Sequence, residues 1–151
     1  ANLIDEAALY TGFTSGLTGS VFIEGNFTVT GASTLCKINN SGINIDTLKT
    51  FLVTGNGSLD CGQTATAIIS GRGKFQIDAG ASMTVRSVNG LTTSSSSGNI
   101  QTSTRVYDAG ANYTFTHFSG LAQSTGTGLP TTITGNMTFN NSGGKIGRAH
   151  V

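Results

Sequence analysis

The chain has 151 residues, of which Gly, Ser, Thr and Asn supply about half (22, 16, 24 and 12), while Leu, Ile, Val and Phe together supply 36. Charged residues make up 10%, the net charge is +1, and there is one Pro and no Trp. The length suits one domain or less, the charge leaves no basic surface for nucleic acid, no apolar run approaches the ~20 residues of a membrane-spanning helix, and scarce helix formers beside abundant Thr, Ile and Val indicate an all-β chain.

Residues 1–20 read as an irregular or capping segment. The chain starts at Ala1 without Met, a basic stretch or an apolar stretch, which suggests a processed product or an internal piece. Asp5 to Tyr10 has the composition of a helical turn, but Gly12, Gly16 and Gly19 end anything longer.

Residues 21–86 carry an apparent period of sixteen. Phe27, Ile43, Leu59 and Phe75 form one column, and Val29, Ile45, Cys61 and Ile77 form another two positions later. Leu35, Phe51, Ala67 and Met83 make a third, and Val53, Ile69 and Val85 a fourth. Thr28, Asn44, Asp60 and Gln76 lie between the first two columns. Each unit therefore has the apolar–polar–apolar step of a strand with one buried face. Gly25, Gly57 and Gly73 precede these strands, where positive φ would serve a tight corner. A strand with one thin apolar face is stable only when stacked on others. The expected fold is a β-solenoid, read as a right-handed β-helix, with a β-sandwich as the alternative.

Residues 87–98, including the run Thr92 to Gly98, read as a loop. Longer rungs are expected over 99–144, with Ile100, Val106, Tyr113, Phe115, Ile133, Met137 and Phe139 inward. Tyr113-Thr114-Phe115 and Met137-Thr138-Phe139 repeat one pattern 24 residues apart. Residues 145–151 break the texture, and Ile146 to Val151 reads as the translation of a common sequencing adapter, so this tail is taken as non-native.

The stretch Gly98 to Gly144 resembles the recurring segment of very long secreted surface proteins of Bacteroidetes. Gly98, Ile100, Gln101, Thr104, Arg105, Tyr107 and Gly110 to Thr114 match its first element. Ala122, Gln123 and Thr125 to Pro130 match the second, and Asn136, Thr138 and Asn141 to Gly143 the third. Thr116-His117-Phe118 departs from it, where the family more often has a short Asn-Gly element. The resemblance implies β-strand repeats, similarity to β-helix adhesins, export by type IX secretion, and a structural or adhesive role outside the cell or at its surface.

The residues offer little chemistry. Seven acids are present: Asp5, Glu6, Glu24, Asp46, Asp60, Asp78 and Asp108. A polysaccharide-cleaving β-helix enzyme would need two carboxylates about 5–9.5 Å apart. Asp46 and Asp78 share a sixteen-residue column two rungs apart, about 9.6 Å by strand spacing and just outside that window. Asp60 lies in another column. Gly55 to Asp60 lacks the paired glycines of a calcium repeat, and Gly71-Arg72-Gly73 is not a phosphate loop. Cys61 reads as a buried small hydrophobe and Cys36 as outward, which disfavours a disulfide between them. No catalytic, cofactor-binding or metal-binding residue is assigned and no cofactor is expected. Tyr113, His117 and Phe118 are candidate glycan contacts, against the plainer reading of Tyr113 and His117 as packing. The expected role is a non-enzymatic structural or adhesive segment. Its partners would be neighbouring repeats of the same parent chain and surface polysaccharide or host glycans, with no nucleic acid and no membrane span.

Overall fold

A computed structural model of the chain describes residues 2–4, 21–23, 25–31, 35–37, 42–62, 67–117 and 122–141. Asp5 to Tyr10, Phe118 and the 145–151 tail lie outside them. The described residues form strands and connections without a helix. The strands are β1 (Asn2–Ile4), β2 (Val21–Ile23), β3 (Phe27–Thr30), β4 (Leu35–Lys37), β5 (Ile43–Ile45) and β6 (Thr50–Thr54), followed by β7 (Ser58–Asp60), β8 (Ile69–Ile77), β9 (Ser82–Val85), β10 (Ile100–Tyr107), β11 (Asn112–Phe115) and β12 (Met137–Phe139).

The strands lie in two curled parallel sheets that make a half-barrel, which overturns the expected solenoid. The larger sheet runs β1-β2-β5-β8-β6-β3, with β10 also on β8. The smaller runs β12-β11-β9-β7-β4. Every described pairing is parallel, so the antiparallel sandwich fails as well. β8 causes the curl. Ile69–Gly71 pair with β5, while Lys74–Ile77, the far half of β8, pair with β6 from Thr50↔Lys74 to Val53↔Ile77. One strand thus turns between two arms of the sheet. Gly71 sits at the bend with φ +106°, a conformation that side chains rarely adopt.

The sixteen-residue period fails for a definable reason. Phe27, Leu35, Ile43, Phe51, Leu59, Ala67, Phe75 and Met83 recur every eight residues, one for each successive strand or connection. Three in-register pairs are three such steps apart, Phe27 with Phe51, Phe51 with Phe75 and Leu59 with Met83, while Leu35 pairs with Ser58 and Ile43 with Ile69. A step of sixteen lands elsewhere. Phe27 is on β3 and Ile43 on β5, and these strands do not pair. The columns therefore named buried residues correctly but gave them the wrong partners. Every column residue whose side chain is described is at most 2% exposed. The glycine reading also changes. Gly57 and Gly73 do not have positive φ; a Cβ there would lie 2.5 Å from the carbonyl oxygen of Val29 and of Asp46, respectively. Close backbone approach is what demands glycine at both.

Between the sheets runs a single core. Phe27, Phe51, Phe75 and Tyr107 stack along it, with successive ring centroids 4.8, 5.8 and 6.1 Å apart. Each buried ring contributes on the order of 1.5–3 kcal/mol from transfer, and each aromatic pair about 0.5–1.5 kcal/mol more. Tyr113-Thr114-Phe115 and Met137-Thr138-Phe139 pair in register, as their 24-residue spacing suggests. Val106 does not point inward; it is 40% exposed. A register shift at Ser103 in β10 moves the inward phase from Ile100 and Thr102 to Tyr107.

Candidate functional site

The concave surfaces gather around the connection between Val85 and Ile100. The sequence marks most of it as a loop, and no strand forms there. It is nevertheless firmly seated. Leu91 is 0% exposed. Leu91 N donates to Thr125 O at 3.0 Å, Gly128 N to Leu91 O at 2.8 Å, and Ser124 N to Val88 O at 2.8 Å. The loop is thereby zipped to the extended segment around 124–128. The fit leaves no room for a Cβ at Gly126, which would lie 2.0 Å from Leu91 O.

Two buried amides hold the loop's ends. Asn99 is 4% exposed and uses its full capacity. Its Oδ1 accepts from Arg86 N at 3.2 Å and Ser87 N at 2.9 Å. Its Nδ2 donates to Gly62 O at 2.9 Å and Ala67 O at 3.0 Å. Gln123 Nε2 donates to Val85 O and Ser87 O, both at 3.0 Å. Beside them Arg86 grips Asp60 with two bonds, Nε to Oδ1 at 2.6 Å and Nη2 to Oδ2 at 2.9 Å. The Arg86 pKa is raised, chiefly by the hydrogen bond to Asp60, so the guanidinium stays charged.

A cleft opens on either side of this loop. The first, about 460 Å³, is lined by Ser87, Asn89, Ser97, Gln101 and His117 among others. Among the described residues that line it His117 is the one titratable side chain, and it is 8% exposed. The second, about 310 Å³, is lined by Thr93, Ser103, Thr104, Arg105 and Tyr107 among others. Side-chain hydroxyls and amides line much of the first, and side-chain hydroxyls much of the second.

Of the three residues marked for glycan contact, the structure brings one to a cleft. His117 lines the first. Tyr113 is 0% exposed, and its hydroxyl donates to Asp108 O at 2.7 Å, so it serves as packing and offers no face to a ligand. Phe118 lies outside the described residues. Burial pushes the Tyr113 and Tyr107 phenols well above their ordinary pKa.

The described acids do not converge. Asp46 and Asp78 are not stacked: Ile45 is in register with Gly71, whereas Asp78 N bonds Val53 O. The estimate of 9.6 Å for them came from the sixteen-residue register and falls with it. Each described aspartate instead serves its own neighbourhood. Asp46 Oδ1 accepts from Thr47 N, Asp78 Oδ1 from Gln76 Nε2, and Asp108 Oδ1 from Gly110 N. Among the described residues no group of His, Cys, Asp and Glu is placed to hold a metal. Cys61 is buried in the core, and Cys36 is in register with Leu59, its side chain outside the described set. No described helix is long and apolar enough to cross a membrane.

The sequence reading missed Asn99, Gln123 and Arg105. A signal existed for two of them: Gln123 and Arg105 fall among the residues that carry the family resemblance. Asn99 had none, because an Asn in an Asn-rich chain does not stand out. Comparison with known proteins finds no matching family model, no matching curated protein and no matching solved structure.

Proposed function

We propose that this chain is a structural, adhesive segment of a secreted or cell-surface bacterial protein, acting through contact and not through turnover. The observation that carries the reading is the outer face of the smaller sheet. Thr84, Thr114 and Thr138 stand in register there, as do Ser58, Ser82 and Asn112. These rows back onto Leu59, Met83, Tyr113 and Phe115 in the core, so a rigid scaffold presents a regular array of hydroxyls and amides. Such an array suits many weak hydrogen bonds to hydroxyl-rich polymers. The resemblance of Gly98 to Gly144 to Bacteroidetes surface repeats points the same way, toward export and toward neighbouring repeats of a parent chain as partners.

A second reading, a glycan-binding module, is favoured by one observation: His117 lines a cleft otherwise rich in hydroxyls and amides. The test is retention of the chain in native gels cast with polysaccharides, combined with an assay for released reducing ends and unsaturated products. Retention without product is expected. Release of product would overturn the adhesive reading. Loss of retention in His117→Ala alone would favour the module.

A further inference from the structure

The second cleft has a feature that the first lacks. Arg105 lines it, and the guanidinium faces no described carboxylate. Its described partners are backbone carbonyls. Nη1 donates to Ser94 O at 3.2 Å and to Thr102 O, and Nη2 donates to Thr93 O at 2.7 Å. A guanidinium has five N–H donors. Three are engaged, which leaves Nε–H and one Nη2–H to donate to a planar or tetrahedral oxyanion. The carbonyls also hold the group in place, so little rotamer freedom is lost on binding. Around it stand the hydroxyls of Thr93, Ser103 and Thr104, and no acid is among the described residues that line the cleft. The Tyr107 hydroxyl, on the same wall, is buried without a hydrogen-bond partner.

We propose that the Arg105 cleft binds an oxyanion, a carboxylate or sulfate ester carried on a hydroxyl-rich ligand such as an acidic saccharide. The guanidinium edge takes the anion, and the surrounding hydroxyls take the ligand's own hydroxyls. The inference rests on the adhesive reading and narrows it to acidic polymers. Charge-assisted bidentate pairing supplies the selectivity, since a neutral sugar leaves the guanidinium edge without its anion.

The experiment titrates the full 151-residue chain with polygalacturonate, chondroitin sulfate and dextran at low and physiological salt. Binding to at least one acidic polymer and weaker binding to dextran are expected, with affinity falling as salt rises. Polygalacturonate alone marks a carboxylate site, and chondroitin sulfate alone a sulfate site. Arg105→Gln should weaken acidic-polymer binding at least tenfold. Because Arg105 also ties the loop carbonyls, a second variant leaves it in place: Ser103→Glu puts a negative charge beside the guanidinium from an exposed position and should cause a similar loss. Ser103→Lys should bind at least as well as the parent. Equal binding of dextran, no binding of either acidic polymer, or unchanged binding in Ser103→Glu would overturn the site. Equal dextran binding without product would leave the adhesive reading standing, so the two failures are distinguishable.

Discussion

Replacing Asn99 tests whether the loop that shapes both clefts is held as the geometry says. Its amide makes four hydrogen bonds to four backbone groups from three stretches of chain, at 2.9–3.2 Å and almost wholly buried. A typical bond contributes a net ~0.5–1.5 kcal/mol, and stranding a buried partner costs about 1–3 kcal/mol. Four lost bonds with some relaxation give a loss of about 3–5 kcal/mol for Asn99→Ala. At ~2–4 °C per kcal/mol for a domain of this size, the melting temperature should fall by about 10 °C. Asn99→Asp adds a sharper test. One carboxylate oxygen can still accept from Arg86 N and Ser87 N, but the other faces the carbonyl oxygens of Gly62 and Ala67. Burial and those carbonyls favour the protonated form, so the folded-state pKa rises above the unfolded value of about 3.9. The folded variant then binds more protons than the unfolded chain. Its stability, relative to the parent, is greatest below pH ~4 and is lost as pH rises through the raised folded pKa. Denaturant unfolding of both variants and the parent at pH 4 and pH 7 measures this. An Asn99→Ala loss below ~1 kcal/mol, or an Asn99→Asp penalty that does not grow from pH 4 to pH 7, would refute the account.

Four further outcomes follow from the same contacts. Ile45→Asp places an unpaired charge at a 0% exposed position in the core and should abolish the cooperative melt, read by far-UV circular dichroism. Leu48→Gly should stabilise by about 1 kcal/mol in denaturant unfolding, because Leu48 holds φ +63° while 92% exposed and gives up no packing. Asp60→Ala should lose about 1–3 kcal/mol, since it strips the partly buried Arg86 of a two-bond carboxylate partner. Tyr107 and Tyr113 should not ionise near pH 10 in the folded chain, as followed by ultraviolet absorbance. Their folded pKa values lie above the unfolded value, so stability is kept below pH ~10 and declines as pH rises beyond it.

Burial was legible in the sequence and pairing was not. Alternation along a strand is local, so Phe27 and Val29, or Ile43 and Ile45, reveal their inward face within three residues. Which strand lies beside which depends on how many strands the chain makes before it returns, and no single strand encodes that. An eight-residue spacing is equally consistent with a return after sixteen or twenty-four residues. Register fixes it at twenty-four between Phe27 and Phe51. One textual signal did carry the register. Asp78-Ala79-Gly80-Ala81 recurs as Asp108-Ala109-Gly110-Ala111, and the two turns stack, with Ala81 N bonded to Asp78 O, Ala111 N to Asp108 O, and Gly80 N to Gly110 O. Those thirty residues contradict a period of sixteen. Val106 was misassigned for a similar reason: the shift at Ser103 leaves no mark in composition.

That step of thirty is what makes a site. Leu59 pairs with Met83 and Tyr113 with Met137 at steps of twenty-four, but Met83 pairs with Tyr113 at thirty, and Phe75 with Arg105 at thirty as well. The excess of six residues is accommodated between Val85 and Ile100, where no strand forms. A connection longer than its neighbours cannot lie flush on the sheets, so it rises and leaves a hollow on each side. Its polar composition would let it fray, and Asn99, Gln123 and the bonds of Leu91 prevent that. The regular strands thus supply stiffness and outward rows, and the enlarged connection supplies concavity. Any ligand that discriminates one segment from another should therefore be read by this loop and by Arg105 and His117 at its margins, while removal of the six extra residues should flatten both clefts and leave the core intact.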